Sequence, residues 1–213
     1  MTTRQKKQTP TQTIRTWIKD FVTRPNPIFG DLPPCPFAQK AMVDGKVEFL
    51  ELDGIGEFGT IFTHIWDFDF DKKDVLVIIA DPEQYTARET VEIADKLNQA
   101  FMPRDVVILE DHPKIKEKVK TVKLNNGHYT LFLAQRLSKL NRYSRMLEKG
   151  PYYQNWSKTY LESVKGFRRP QRLDTRVTLT QPTILFLVTA PLSAGPPLES
   201  PIVGLVLRRG LVP

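Results

Sequence analysis

Two short runs of apolar residues limit what this chain can fold into. Val75–Ala80 reads Val-Leu-Val-Ile-Ile-Ala with no polar interruption, and residues 105–110 repeat the pattern around Val106, Val107, Ile108 and Leu109. A strand with one face in water alternates apolar and polar residues, whereas an unbroken branched run marks a strand covered on both faces. Helices must then lie on either side of the sheet. The segment between the runs supplies one: Asp81-Pro82 makes a turn and a helix start, Val91, Ala94, Leu97, Asn98 and Phe101 recur at helical spacing, and Pro103 ends it. Strand, helix, strand in this order predicts right-handed crossovers and a partly parallel sheet.

The remaining elements follow from pattern in the same way. Residues 47–52 read as a strand, 58–66 as a helix-like stretch, and Ile14, Trp17, Ile18 and Phe21 as the buried stripe of a first helix. Asn125-Asn126-Gly127, flanked by 119–124 and 128–134, predicts a tight hairpin, because Asn-Gly supplies the positive φ angles of such turns. A basic amphipathic helix is expected over 136–149, with Leu137, Leu140, Tyr143 and Leu147 on one face, and a last helix over 156–164. The expected architecture is a single α/β domain over 14–173, with a mixed sheet of about five strands flanked by helices. Residues 1–13 are expected to be a flexible N-terminus. Residues 174–213 hold six prolines and only short apolar runs, and are expected to form an irregular tail. The abrupt shift in composition after Arg172 also allows a read-through or an altered frame.

Between residues 75 and 149, the order strand, helix, strand, short helix, hairpin, helix resembles the carboxyl half of thioredoxin-like proteins. There an Asn-Gly hairpin leads into the terminal helix, as Asn126-Gly127 precedes Leu137-Ser138-Lys139 here. The resemblance implies a thioredoxin-like topology without the redox chemistry. The family's site needs a cysteine pair at a helix start after a central strand, where this chain has Asp81-Pro82-Glu83-Gln84. The proline before the family's hairpin strand is also missing, since Lys120-Thr121-Val122 stands there. Cys35-Pro36-Phe37-Ala38 is similar to a signature near the start of some uncharacterised bacterial domains, a likeness that transfers no activity.

Charge is strongly segregated along the 213 residues. The net is +5 over 1–47, −11 over 48–111, +4 over 112–135 and +8 over 136–173, within a total of +7. Two readings follow: the segments neutralise one another across the folded surface, or the basic part is a binding face. In the second, Arg142, Arg145, Arg168 and Arg169 meet phosphates while Tyr152, Tyr153 and Trp156 stack on bases, the pairing used by single-strand nucleic-acid binders. The expected function is a non-enzymatic binding module that contacts an anionic partner, single-stranded nucleic acid or an acidic protein. No recognised nucleic-acid motif accompanies these residues.

Enzymatic alternatives rest on two features. Cys35 is the only cysteine, and Pro36 after it suits the first turn of a helix, which would place Cys35 at an N-cap where a thiolate is stabilised. A thiol-dependent enzyme would draw its base from His64, His112 or His128. Gly54, Gly56 and Gly59 give a dinucleotide-type spacing after a strand, with Asp81 at the distance of a ribose-binding acid, although Glu57 would repel a pyrophosphate. Asp67, Asp69 and Asp71 alternate with Phe68 and Phe70, which suits an edge strand better than a cation site. Neither a cofactor nor a metal is expected. The lone cysteine excludes an internal disulfide and fits a reducing compartment. The basic, threonine-rich start lacks the apolar core of a secretory signal, though a transit peptide shares its composition. Five prolines interrupt the apolar run 178–207, so no membrane span is expected and a cytoplasmic location is the default.

Overall fold

A computed structural model of the chain describes residues 8–54 and 58–168. Of the flexible N-terminus expected over 1–13, residues 1–7 lie outside the described residues, while residues 10–13 form the first turn of a helix, which corrects that part of the expectation. The irregular tail expected over 174–213 lies outside the described residues. The two apolar runs form β2 (Val75–Ala80) and β3 (Val106–Asp111). β2 pairs in parallel with β1 (Val47–Glu51) and antiparallel with β6 (Thr130–Arg136). β3 joins the far side of β6, also antiparallel, which completes a four-stranded sheet of order β1-β2-β6-β3. The fold is thus α/β with a mixed sheet, four strands wide. Two further strands, β4 (Lys118–Val119) and β5 (Val122–Lys123), pair only with each other as a separate ribbon.

Strand alternation divides the core. Leu76, Ile78 and Ala80 face α3 (Phe58–Trp66) and α4 (Ala87–Phe101), which contribute Ile61, Ile65, Ala94, Leu97 and Phe101. Val77 and Ile79 point the opposite way, onto Ile14 and Ile18 of the N-terminal helix. That helix, α1 (Pro10–Trp17), starts ahead of Ile14 because Thr9 and Gln12 form a capping box and Pro10 takes the first helical position. Beyond Trp17 the chain continues as a π turn, Ile18–Val22. A short α2 (Ala38–Val43) precedes β1.

The Asn-Gly hairpin does not form. The ribbon turns earlier, at Lys120-Thr121, and residues 130–136 leave it to lie between β2 and β3. Burial decides the matter, since Leu131, Phe132 and Ala134 are fully enclosed there and a partner such as 119–124, with two lysines, would leave them half covered. Gly127 does adopt a positive φ of 73°, but Asn126 instead uses its side-chain oxygen to accept from the amides of His128 and Tyr129. From β6 the chain enters α5 (Leu137–Leu147) directly. The start of α5 is capped from outside: the Asp105 carboxylate accepts from the Ser138 amide at 2.7 Å and from its hydroxyl at 2.6 Å. A 3-10 turn (Pro151–Tyr153) and α6 (Lys158–Gly166), capped by Ser157, complete the described chain.

β3 is an edge strand, and an unpaired edge invites association with another chain. Asn98 of α4 closes part of it. Its side chain donates to the Ile108 carbonyl and accepts from the Ile108 amide, both at 2.8 Å, in a buried setting. Asn98→Leu should therefore cost about 2 to 5 kcal/mol, because two buried backbone groups lose their partners together. Urea unfolding checks it, and an unchanged midpoint would mean that water satisfies Ile108 instead.

Candidate functional site

The aromatic residues of the basic segment build a small core of their own. Phe29, Val119 and Tyr152 are buried at its centre, with Leu32, Val122, Leu124, Tyr153, Trp156 and Tyr160 packed against them. Tyr152 stacks on Phe29 at 5.6 Å, Trp156 stacks on Tyr160 at 5.1 Å, and Tyr153 meets Trp156 edge-on at 5.2 Å. The Tyr152 hydroxyl donates to the Pro34 carbonyl, and Tyr153 shares a hydrogen bond of 2.8 Å with Ser144 of α5. Gly30, at a φ of 66°, lets this core close: a Cβ there would meet Pro151 Cγ at 2.5 Å. Tyr152 therefore has no face free for a base, which corrects its expected stacking role, and the faces of Tyr153 and Trp156 are engaged by their neighbours.

The expected cations divide. Arg168 is only 4% exposed; its guanidinium Nε donates to the Val164 carbonyl at 2.7 Å, so it caps α6 and does not meet solvent, a second correction. Arg169 lies outside the described residues. Arg142 and Arg145 are exposed on α5, and among the described residues neither is ion-paired to a carboxylate. Arg136 and Lys139, by contrast, are bound back to the acidic segment, at 2.9 Å to Asp71 and 2.6 Å to Asp74. Lys165 pairs with Glu148.

Against this second core lies a feature that net charge alone did not single out. Val119 and Val122 of the ribbon face inward, which leaves Lys118 and Lys123 paired side by side on the solvent face. Lys114, Lys116 and Lys120 are exposed around them. The period-two alternation Lys116, Lys118 against Glu117, Val119 carried the signal for an exposed strand, in a stretch too short to stand out.

Cys35 is not at a helix start. α2 begins at Ala38 with Phe37 as its N-cap, so the expected N-cap position of Cys35 is corrected. The residue reaches the surface, yet the atoms crowded around its sulfur desolvate it and push the thiol pKa up, and the Phe37 and Ala38 amides offset only part of this. Of the three histidines, His112 is fully buried and committed: Nδ1 accepts from the Lys114 amide at 3.0 Å, while Nε2 faces the Tyr85 and Pro82 carbonyls at 3.0 and 3.2 Å. Those partners select the neutral tautomer with its proton on Nε2.

A group of carboxyls lies where β3 meets the ribbon. Burial pushes Glu110 from its ordinary 4.5 to about 7, with Glu117, Asp95 and Asp111 adding repulsion. Burial also raises Glu117 and Asp111. The Asp111 carboxylate accepts from the Asn126 amide at 2.8 Å and from its side chain at 2.7 Å, which ties the end of the ribbon segment to the sheet. Among the described residues no group of three or more potential ligands is arranged to hold a metal. Asp67, Asp69 and Asp71 fall at the exit of α3 and in a turn rather than in the expected edge strand, with Asp69 accepting from the Asp71 and Lys72 amides. The glycine loop is described only at Gly54 and Gly59, and Asp81 accepts locally from the Glu83 amide at 2.9 Å.

No family model matches the chain, and neither the curated proteins nor the solved structures contain a detectable relative. No helix among the described residues is long and apolar enough to cross a membrane.

Two expectations follow from these environments. Cys35 should react with iodoacetamide at neutral pH more slowly than a free cysteine, because a raised pKa lowers the thiolate fraction, and should recover the ordinary rate on unfolding. Faster native labelling would reinstate an activated thiol. Glu110 binds its proton more tightly in the folded chain than in the unfolded one, so its ionisation removes stability as pH rises from 4.5 to about 7. Glu110→Gln should shrink the gap in thermal midpoint between about pH 5 and about pH 8. An unchanged gap would mean that Glu110 is solvated.

Proposed function

We propose that this chain is a non-enzymatic binding module that contacts an anionic partner, nucleic acid or an acidic protein, through the basic face of α5. The observation that carries the reading is that Arg142 and Arg145 are exposed with no carboxylate partner among the described residues, whereas Arg136 and Lys139 on the same stretch are neutralised internally. Two cations left unpaired beside two that are satisfied make a surface with charge to offer. The aromatic residues serve it indirectly, by holding α5 against the second core through the Tyr153 to Ser144 hydrogen bond.

The thiol-dependent alternative loses the helix start that would have stabilised a thiolate, since α2 begins at Ala38 with Phe37 as its N-cap, and desolvation of the sulfur raises its pKa although the residue itself is exposed. Nucleotide binding at Gly54 to Gly59 rests on spacing alone. A thioredoxin-like kinship over 75–149 is supported by the strand leading directly into α5, while the placing of β6 between β2 and β3, without the hairpin, counts against it.

Arg142→Gln with Arg145→Gln should lower the slope of log affinity against log salt for a single-stranded oligonucleotide by about 1.4, two contacts at about 0.7 each. Fluorescence anisotropy across a salt series measures it. An unchanged slope would remove α5 from the contact.

A further inference from the structure

We infer that the lysine ribbon, residues 114–123, is a contact surface for the phosphate backbone of duplex nucleic acid. The inference rests on the anionic-partner reading above but places the contact on a different element and names the partner.

The ribbon breaks local rules with no internal compensation. Lys118 and Lys123 are direct partners across an antiparallel pair, where like charges repel and destabilise. Lys120, the first of the two turn residues, has a φ of 53°, a conformation that such turns normally assign to glycine or asparagine. Lys114 and Lys116 add charge on the approach, and of the ribbon's lysines only Lys114 is ion-paired to a carboxylate among the described residues, to Glu83 at 3.7 Å. A site that departs from local preference in this way marks a function that the free fold does not satisfy, and a polyanion lying across the lysines would remove the repulsion.

The chemistry of the surface selects among polyanions. Protein interfaces are enriched in aromatic residues and arginine and depleted of lysine, and the exposed face of the ribbon offers lysines without an aromatic or an arginine. A surface that enters a lipid headgroup region needs apolar side chains pointing out, but Val119 and Val122 point into the second core. Single strands are held partly by base stacking, and no ring is presented here. What remains is a row of point charges, which suits sequence-independent contact with closely spaced phosphates, and duplex DNA carries the denser array.

The test uses the full chain and a mixed-sequence DNA duplex in a salt series. Lys118→Gln, Lys120→Gln and Lys123→Gln together should reduce the salt slope by about 2.7, so that from 50 to 200 mM salt the parent chain loses roughly 40-fold more affinity than the variant. The variant should unfold no earlier than the parent, since its change removes repulsion. Should it fail to fold, Lys116→Gln, outside the paired strands, carries the same test with an expected slope loss of about 0.9. Duplex affinity of the parent weaker than about 10⁻⁴ M at physiological salt, or an unchanged slope in the lysine variants, overturns the inference. If the Arg142 and Arg145 variant alone loses slope, the proposed α5 contact stands and the ribbon contact falls; the converse result separates them the other way. Tighter binding to a single strand than to the duplex overturns the choice of partner. So does loss of binding to phosphatidylserine vesicles or polyglutamate in the ribbon variant with duplex binding intact.

Discussion

A strand with no polar face can leave neither of its faces against water, and β2 is such a strand. Its five residues from Leu76 to Ala80 are all at most 2% exposed. Two neighbours and two layers of helices are needed to achieve that, and the chain supplies them from distant positions: β1 and β6 at its sides, α3 and α4 on one face, α1 on the other. The requirement reaches back to Thr9, whose capping box fixes where α1 begins and so which residues meet Val77 and Ile79. It also reaches forward to β6, drawn away from the ribbon because only a central place covers Phe132 and Ala134 on opposite pairing partners.

With β6 inserted, β3 is pushed to the margin, and the structure answers with a side chain rather than a strand. Asn98 imitates the next strand at one residue of the edge. The same displacement leaves the ribbon without a sheet to join. Its apolar side is covered instead by the second core, where the loop around Phe29 meets Tyr152 and Trp156 across more than a hundred residues of sequence. Asn155 adds a bond of 2.9 Å to the Ile28 carbonyl. The aromatic cluster thus supports two charged elements, α5 and the ribbon, from behind.

The legible parts of the sequence were those set by local burial. Unbroken apolar runs located β2 and β3, and helical spacing located α4 and α5, because each pattern records one face of one element. Partner choice is not local, which is why Asn125-Asn126-Gly127 pointed to a hairpin whose second strand went elsewhere. Asn98 sat on the apolar stripe of α4 as an anomaly, and its explanation lies on β3, visible only once the strand is an edge. Composition places Tyr152 and Trp156 among cations but cannot say whether rings face outward; Phe29, far away in sequence, decided that. Cys35 followed the same rule, since Pro36 allowed a helix start that the chain delayed to Ala38.

Segregated charge is the last constraint, and geometry divides it unevenly. Lys114, Arg136 and Lys139 reach carboxylates of the acidic segment, at Glu83, Asp71 and Asp74, so part of the sequence dipole is cancelled by folding. Exposed pairs of this kind contribute little stability, about 0 to 1 kcal/mol each, and their main effect is to fix where positive potential is spent. The acidic group nearest the ribbon forms no ion pair with Lys116, Lys118, Lys120 or Lys123 among the described residues: Asp111 accepts from Asn126, and burial raises the pKa of Glu110, Asp111 and Glu117. Charge that the fold could have neutralised beside the ribbon is instead withheld, and the positive potential of Lys116, Lys118, Lys120 and Lys123 is left to the solvent side of the molecule.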